Sequence, residues 1–279
     1  RLMSTMGWVY IGLGHYDTAQ ELLEEALAIR EAELPPNHAD VAASLNELAE
    51  AHREKAEYDE AWPLYERALA IHEEIFGPES PQVSSVLNNM ALVLVARGQY
   101  EEAGLMYERM LAIDRQSMGP DDPEFANSLH NVAILHVRKG DLAEARAIFE
   151  RVLEIREAAY GTDHILVANS LASVGAVLKD SGDYQAARPM YERSLAIKEK
   201  ILGPDHPIVA STLANLGALL RIMTEPERAR LVLDRSVAVY RQALGPGHPD
   251  VAEPLTTLAI VHATTGQPDV ARSLFEEAL

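Results

Sequence analysis

The chain has 279 residues, 48% of them hydrophobic, and its 43 acidic and 24 basic side chains give a net charge of −19. This balance argues against partners that present phosphate groups, so we expect neither nucleic acid nor an anionic membrane surface as ligand. Because the sequence has no cysteine, disulfides, thiolate nucleophiles and cysteine-ligated metal centres are excluded. No apolar run approaches the roughly 20 residues of a membrane-spanning helix. Without such a run, a secretory signal or cysteine, we expect a cytoplasmic protein.

A short pattern recurs along the whole chain with a period of 42 residues and no insertion or deletion. It ends in an alanine in every copy, at Ala19, Ala61, Ala103, Ala145, Ala187, Ala229 and Ala271. A second pattern, such as Asp205-His206-Pro207, has the same period. Two sequence patterns with the same period predict one array of about seven repeats across 1–279 instead of two globular domains. The predicted boundaries are 1–37 (partial), 38–79, 80–121, 122–163, 164–205, 206–247 and 248–279 (partial).

Each repeat begins with a predicted helix directly after the second pattern. A proline fits the first helical position, where no amide donor is needed, at 81, 123, 207 and 249. The residue before it is Ser80, Asp122 or a histidine, and serine and aspartate are favourable N-caps. Apolar residues then recur at helical spacing, as at Val83, Leu87 and Met90.

A second predicted helix completes each repeat. In the repeat 80–121 the turn contains Gly98, and the second helix starts at about Glu101. The helix ends at Gly119-Pro120, where glycine supplies a left-handed residue and proline prevents continuation. The whole chain is therefore predicted to be all-α.

Two columns of residues predict how the paired helices pack. Small residues lie twelve positions before each marker alanine, at Gly7, Ala49, Ala91, Ala133, Gly175, Gly217 and Ala259. Leucine or an aromatic residue lies four positions after it, at Leu23, Tyr65, Tyr107, Phe149, Tyr191, Leu233 and Phe275. We expect the small residues to let the helices approach and the large ones to fill the gap between them.

These columns resemble the tetratricopeptide repeat, in which antiparallel helix pairs stack into a right-handed superhelical solenoid. A unit of 42 residues with a Gly-Pro-Asp-His-Pro turn is similar to the kinesin light chain subclass, and so are the runs Leu87–Ala91 and Tyr191–Ile197. The resemblance implies that first helices line a concave groove that binds a protein or peptide. Kinesin light chains use groove asparagines and basic residues for cargo peptides of acidic and aromatic character, which implies acidic or hydrophobic anchor residues in the ligand.

Asparagine is the most frequent polar residue predicted for the groove. An asparagine amide can donate to a peptide carbonyl and accept from a peptide amide at once, so a row of them suits an extended backbone. The candidates are Asn46, Asn88, Asn89, Asn127, Asn131, Asn169 and Asn215.

Cationic and apolar groove positions complete the predicted site. Guanidinium and ammonium groups could bind a carboxylate, and the candidates are Arg53, Arg138, Lys179 and Arg221. The middle of the groove contains Leu92 and Ile134, with His130 in the same helix as Ile134. The competing interpretation is that the asparagines bond neighbouring repeats and that the cations pair with Glu50, Glu54 or Asp180.

Three functions remain open from the sequence. The first is a scaffold that binds a peptide or protein segment in the groove, without a cofactor. The second is a structural solenoid that self-associates end to end, since Leu274, Phe275 and Leu279 would face nothing. The third is a regulatory sensor module of a larger protein. No enzyme is predicted, because no metal, nucleotide or nucleophile motif occurs.

Overall fold

The computed structural model describes residues 2–279, and all regular secondary structure in that range is helical. The chain divides into two compact units, an N-terminal unit of residues 1–139 and a C-terminal unit of residues 140–279. None of the described helices is both long and apolar enough to cross a bilayer. The all-α prediction is confirmed.

The helices follow the predicted alternation, so that odd-numbered helices are the first helices of the repeats and even-numbered helices are the second. The N-terminal unit contains α1 (Leu2–Gly12), α2 (Tyr16–Glu33), α3 (Ala39–Glu54), α4 (Tyr58–Phe76), α5 (Pro81–Ala96), α6 (Tyr100–Ser117) and α7 (Pro123–Lys139). The C-terminal unit contains α8 (Leu142–Tyr160), α9 (Ile165–Asp180), α10 (Tyr184–Leu202), α11 (Pro207–Ile222), α12 (Pro226–Leu244), a 3-10 turn (Pro249–Val251), α13 (Ala252–Thr264) and α14 (Pro268–Glu277).

Contacts between repeats distinguish the two kinds of helix. In the N-terminal unit α1 contacts α3, α3 contacts α5 and α5 contacts α7, while in the C-terminal unit α9 contacts α11 and α11 contacts α13. Within the described part of each unit, successive even-numbered helices make no comparable contact. The odd-numbered helices therefore form the inner layer of each unit, which is where the sequence places the binding residues.

The two predicted packing columns meet as expected. A β-carbon placed on Gly175 would lie 3.2 Å from the ring of Tyr191, and one placed on Gly217 would lie 2.5 Å from Cγ of Leu233. Tyr191 and Leu233 are both buried. The small residues are thus required for the close approach of the two helices within a repeat.

The turn between the two helices of a repeat uses a left-handed residue. Gly98 has φ +74° there, and α6 starts at Tyr100, one residue before the predicted position. At the same repeat position Ala56 and Thr224 both adopt φ +59°, a region that residues with a side chain rarely occupy. The turn geometry is therefore imposed by the packing of the helix pair even where glycine is missing.

The histidines that precede the first helices are N-caps. In His38, His164, His206 and His248 the ring Nδ1 accepts the backbone N–H two residues later. Asp122 caps α7 in the same way, with its carboxylate 2.8 Å from the amide nitrogen of Glu124. The expectation that Ser80 caps α5 is wrong, because its side chain makes no capping bond and its hydroxyl is buried without a partner among the described residues.

The end of the chain corrects a second expectation. Leu274 does not face solvent alone, because it packs against the cluster that contains Val237 and Tyr240. Phe275 and Leu279 are exposed, as the sequence predicts. Helix α14 therefore packs at least one of its apolar side chains against α12.

Candidate functional site

Four asparagines form a continuous ladder across the inner layer of the N-terminal unit. Nδ2 of Asn131 on α7 donates to Oδ1 of Asn88 on α5 at 2.8 Å. Nδ2 of Asn88 lies 3.4 Å from Oδ1 of Asn89. Nδ2 of Asn89 donates to Oδ1 of Asn46 on α3 at 3.2 Å. The ladder thus links three consecutive first helices, as the competing interpretation of the sequence expected.

The ladder leaves hydrogen-bonding capacity free. An asparagine amide has two N–H donors and two carbonyl lone pairs. Each of the four side chains uses at most one of its donors and one of its lone pairs within the ladder. All four are only partly buried. They can therefore bind each other and still offer a donor and an acceptor to a ligand.

The ladder has no counterpart in the C-terminal unit. The donor and acceptor in the ladder are 43 residues apart, and that spacing pairs Asn215 with Ala172, which has no amide. Asn215 instead donates to the backbone oxygen of Ser211 at 3.2 Å. Asn169 is exposed near the start of α9. The seven candidate asparagines therefore do not act as one row.

A cavity of about 200 Å³ lies beside the ladder, between α5, α6 and α7. Its walls include two ladder residues, Asn88 and Asn131, and the candidate Asn127. Asn127 Nδ2 is bonded to the Glu124 carboxylate at 3.1 Å. The cavity also reaches the carboxylate of Asp114, which is only 3% exposed. The N-terminal unit thus combines the asparagine ladder with an acidic pocket.

Two of the four predicted groove cations, Arg53 and Lys179, lie close to carboxylates. Arg53 Nη2 lies 2.6 Å from Glu54 and 3.7 Å from Glu50. Burial raises the pKa of Glu50, and Arg53 partly offsets that shift. In the C-terminal unit Lys179 lies 3.6 Å from Asp180. The positive charges of Arg53 and Lys179 are therefore neutralised by neighbouring carboxylates, again as the competing interpretation expected.

The other candidates are distributed over both units. In the N-terminal unit Leu92, Ile134 and His130 are partly buried on α5 and α7, and Arg138 is exposed near the end of α7. In the C-terminal unit Arg221 is partly buried in the last turn of α11, and its Nε makes no hydrogen bond within the described residues. The apolar anchor position at Leu92 and Ile134 stays a prediction.

Asp114 belongs to a set of residues that sequence reasoning missed. The same repeat position holds Arg30, His72, Asp114, Arg156, Lys198 and Tyr240. All but Arg30 are buried. The sequence does contain a sign of this set. The residue at this repeat position changes chemical type from repeat to repeat, although the surrounding helix face is apolar. A position that only fills space would stay hydrophobic.

Comparisons with known proteins agree with this architecture. Models of the tetratricopeptide repeat match residues 1–40, 36–116, 124–200, 172–242 and 232–279. No curated protein resembles the chain significantly in sequence.

Solved structures with the same fold include BtubC, a kinesin light chain-like protein and a quorum sensor. BtubC (BKLC) from P. vanneervenii has 22% identity and a TM-score of 0.64, with 85% of this chain and 87% of that one covered. A kinesin light chain-like protein of Podospora anserina with nearly identical repeats has 27% identity and a TM-score of 0.60, with 72% and 95% covered. The apo quorum sensor NprR from B. thuringiensis has 14% identity and a TM-score of 0.77, with 99% and 74% covered. With repeat models matching almost its whole length, the chain belongs to the tetratricopeptide repeat family.

Proposed function

We propose that this chain is a protein-interaction module that binds an extended polypeptide segment along α3, α5 and α7 of the N-terminal unit. The observation that carries the proposal is the asparagine ladder, because its spare amide donors and acceptors are spaced over three neighbouring helices. Such groups match the alternating carbonyl and amide groups of a peptide backbone. Protein–protein interaction is also the general role of tetratricopeptide repeats.

The ladder favours recognition of the ligand backbone over recognition of its side chains. An amide that is held by a neighbouring amide is fixed in orientation before the ligand arrives, which lowers the entropy cost of binding. We therefore expect peptides that bind this face to tolerate many side-chain changes. Methylation of a backbone nitrogen that the ladder contacts should weaken binding, because it removes a donor.

The first prediction concerns the double variant Asn88→Ala/Asn131→Ala. Peptides selected from a display library on the unchanged protein should bind this variant roughly tenfold to a hundredfold more weakly. Loss of two or three hydrogen bonds costs about 1–3 kcal/mol in total. Isothermal titration calorimetry with the selected peptides measures the change.

Asn37→Ala is the matched control for this prediction. Asn37 is an exposed asparagine that bonds Glu74 at 2.8 Å, away from the ladder. Peptide affinity should be the same for Asn37→Ala and for the unchanged protein. If the selected peptides bind the double variant as tightly as the control, the ladder is not the binding surface.

Self-association is a second candidate function, because α1 carries an apolar exposed row. Leu2, Met6 and Val9 are 74%, 39% and 57% exposed, and their spacing places them on one face of the helix. Helix α1 contains no charged residue. The face could therefore bind a second copy of the chain.

The second prediction follows from that row. If a second copy covers it, the sedimentation coefficient should rise with protein concentration, and Val9→Lys should abolish the rise because a buried unpaired charge is costly. Leu105→Lys is the matched control, since Leu105 is 67% exposed on α6. A concentration-independent monomer, or equal effects of the two variants, would refute self-association through α1.

A further inference from the structure

The carboxylate of Asp114 is buried without a counter-charge. It accepts a hydrogen bond from the hydroxyl of Ser84 and another, at 2.6 Å, from the hydroxyl of Ser128. No lysine, arginine or histidine of the described residues forms an ion pair with it. Buried charges in proteins are normally paired, because removing a carboxylate from water is expensive. An unpaired buried carboxylate at this point therefore requires an explanation.

The equivalent residue in an earlier repeat shows the usual solution. Arg30 donates to the hydroxyl of Ser44 and lies 3.8 Å from the carboxylate of Glu47. The serine contact is thus common to both repeats, since Ser128 is the counterpart of Ser44. Asp114 differs because it has the serine contact and lacks the opposite charge.

The cavity supplies the space for that missing charge. Its volume of about 200 Å³ is below the roughly 300–1,000 Å³ of small-molecule sites, so it suits one side chain. Besides Asp114 its lining contains a second carboxylate, Glu124, and the amides of Asn88, Asn127 and Asn131. All of these groups can accept hydrogen bonds. The lining contains no basic residue.

We propose that this cavity is a specificity pocket for a basic side chain, arginine or lysine, of the polypeptide segment that binds along the asparagine ladder. The inference rests on the proposed function, since Asn88 and Asn131 belong to both the ladder and the pocket wall. A guanidinium or ammonium group is a pure donor and would meet the carboxylate of Asp114 and the carbonyl oxygens around it. This anchor has the opposite charge to the acidic anchor that the resemblance to kinesin light chains implies.

The pocket is tested alone with a blocked amino acid. N-acetyl-arginine methylamide is titrated into the protein while NMR follows the side-chain amide signals of Asn88, Asn127 and Asn131. We expect saturable shifts, and affinity at least tenfold lower for the isosteric neutral probe N-acetyl-citrulline methylamide and for Asp114→Asn. Equal shifts from the two probes, or unchanged arginine affinity in Asp114→Asn, would overturn the proposal.

Three variants keep this test independent of folding. Asp114→Asn retains the size and keeps a carbonyl acceptor for one serine, while its amide nitrogen can donate to the hydroxyl oxygen of the other. Its thermal midpoint should be unchanged or higher, because the variant removes an unpaired buried charge. A carboxylate with a purely structural role would instead give a lower midpoint and unchanged probe affinity. Glu124→Gln alters an exposed residue and should weaken arginine binding by a smaller factor. Asp269 is an exposed carboxylate in the first turn of α14. The control variant Asp269→Asn should change neither the thermal midpoint nor the affinity for the arginine probe.

A peptide library separates failure of the pocket from failure of the groove. Peptides selected on the unchanged protein should carry arginine or lysine at one fixed position and should lose that preference on Asp114→Asn. If the peptides bind through the ladder but show no basic position, the pocket proposal is refuted and the proposal of peptide binding along the ladder is kept. If no selected peptide depends on Asn88 and Asn131, the proposal of peptide binding along the ladder is refuted, whatever the result with the blocked amino acid.

Discussion

Replacing Lys198 with methionine should stabilise the protein at neutral pH by about 3 kcal/mol. Lys198 is 5% exposed on α10, and its ammonium donates to the hydroxyl of Thr212 at 3.0 Å. No ion pair involves it among the described residues, and burial lowers its pKa to about 8 from the ordinary 10.5. Methionine has a similar length, no charge to desolvate and a flexible chain that adapts to an existing space.

The neighbouring hydroxyl tolerates the change. Thr212 Oγ1 donates to the backbone oxygen of Ile208 at 3.1 Å and keeps that bond when the lysine is removed. Losing Lys198 therefore leaves no buried donor without a partner. In the usual case, removing one partner of a buried hydrogen bond leaves the other partner without a bond, and Lys198→Met avoids this cost.

The pH dependence gives the sign of the effect. Because the pKa is lower in the folded protein than in the unfolded chain, the unfolded chain binds more protons between about pH 8 and pH 10.5. Stability should therefore rise with pH across this window, and the full penalty should be present below it. The pKa difference corresponds to about 3 kcal/mol, which Lys198→Met should recover at pH 7.

Urea denaturation at pH 7 and pH 10 measures both effects. The urea midpoint of Lys198→Met should exceed that of the unchanged protein at pH 7, and the difference should shrink at pH 10. Lys200→Met, an exposed lysine with a surface ion pair to Asp163, should change stability by less than about 1 kcal/mol. A lower midpoint for Lys198→Met at pH 7 would show that the ammonium stabilises the fold.

The features that the sequence predicted are those that recur in every repeat. Helix starts, the turn at Gly98 and the contact between Gly175 and Tyr191 each depend on residue types at a fixed repeat position. Seven copies of such a position show its constraint without any structure. The odd-numbered inner layer was expected from the resemblance to the tetratricopeptide repeat, in which the first helices line the groove.

The features that the sequence did not predict depend on differences between repeats. The acidic pocket requires Asp114 from a second helix and Asn127 from the next first helix, so its members look unrelated along the chain. Histidine caps were missed because serine, threonine, aspartate and asparagine dominate N-cap preferences. The role of Asn215 depends on the residue 43 positions earlier, Ala172, which has no amide to bond, and a count of groove amides does not show this.

Gly217→Val should destabilise the C-terminal unit by about 3 kcal/mol, because the helices α11 and α12 have no room for a side chain there. A β-carbon at Gly217 would lie 2.5 Å from Cγ and 2.6 Å from Cδ2 of Leu233, which is fully buried. Overpacking of this kind typically costs 1–3 kcal/mol, and the β-branched valine adds crowding within the helix. Thermal unfolding measures the loss as a lower midpoint.

Two comparisons assign that loss to the clash with Leu233. Gly104→Val is the matched helical control, since the nearest atom to its β-carbon is 4.0 Å away on Leu135. It should be neutral or stabilising, because glycine is a poor helix former. In the background of Leu233→Ala, which empties the space, Gly217→Val should cost much less than in the unchanged protein. If the valine costs the same in both backgrounds, the cause is the helix backbone, and the small-residue column is not a requirement of helix contact.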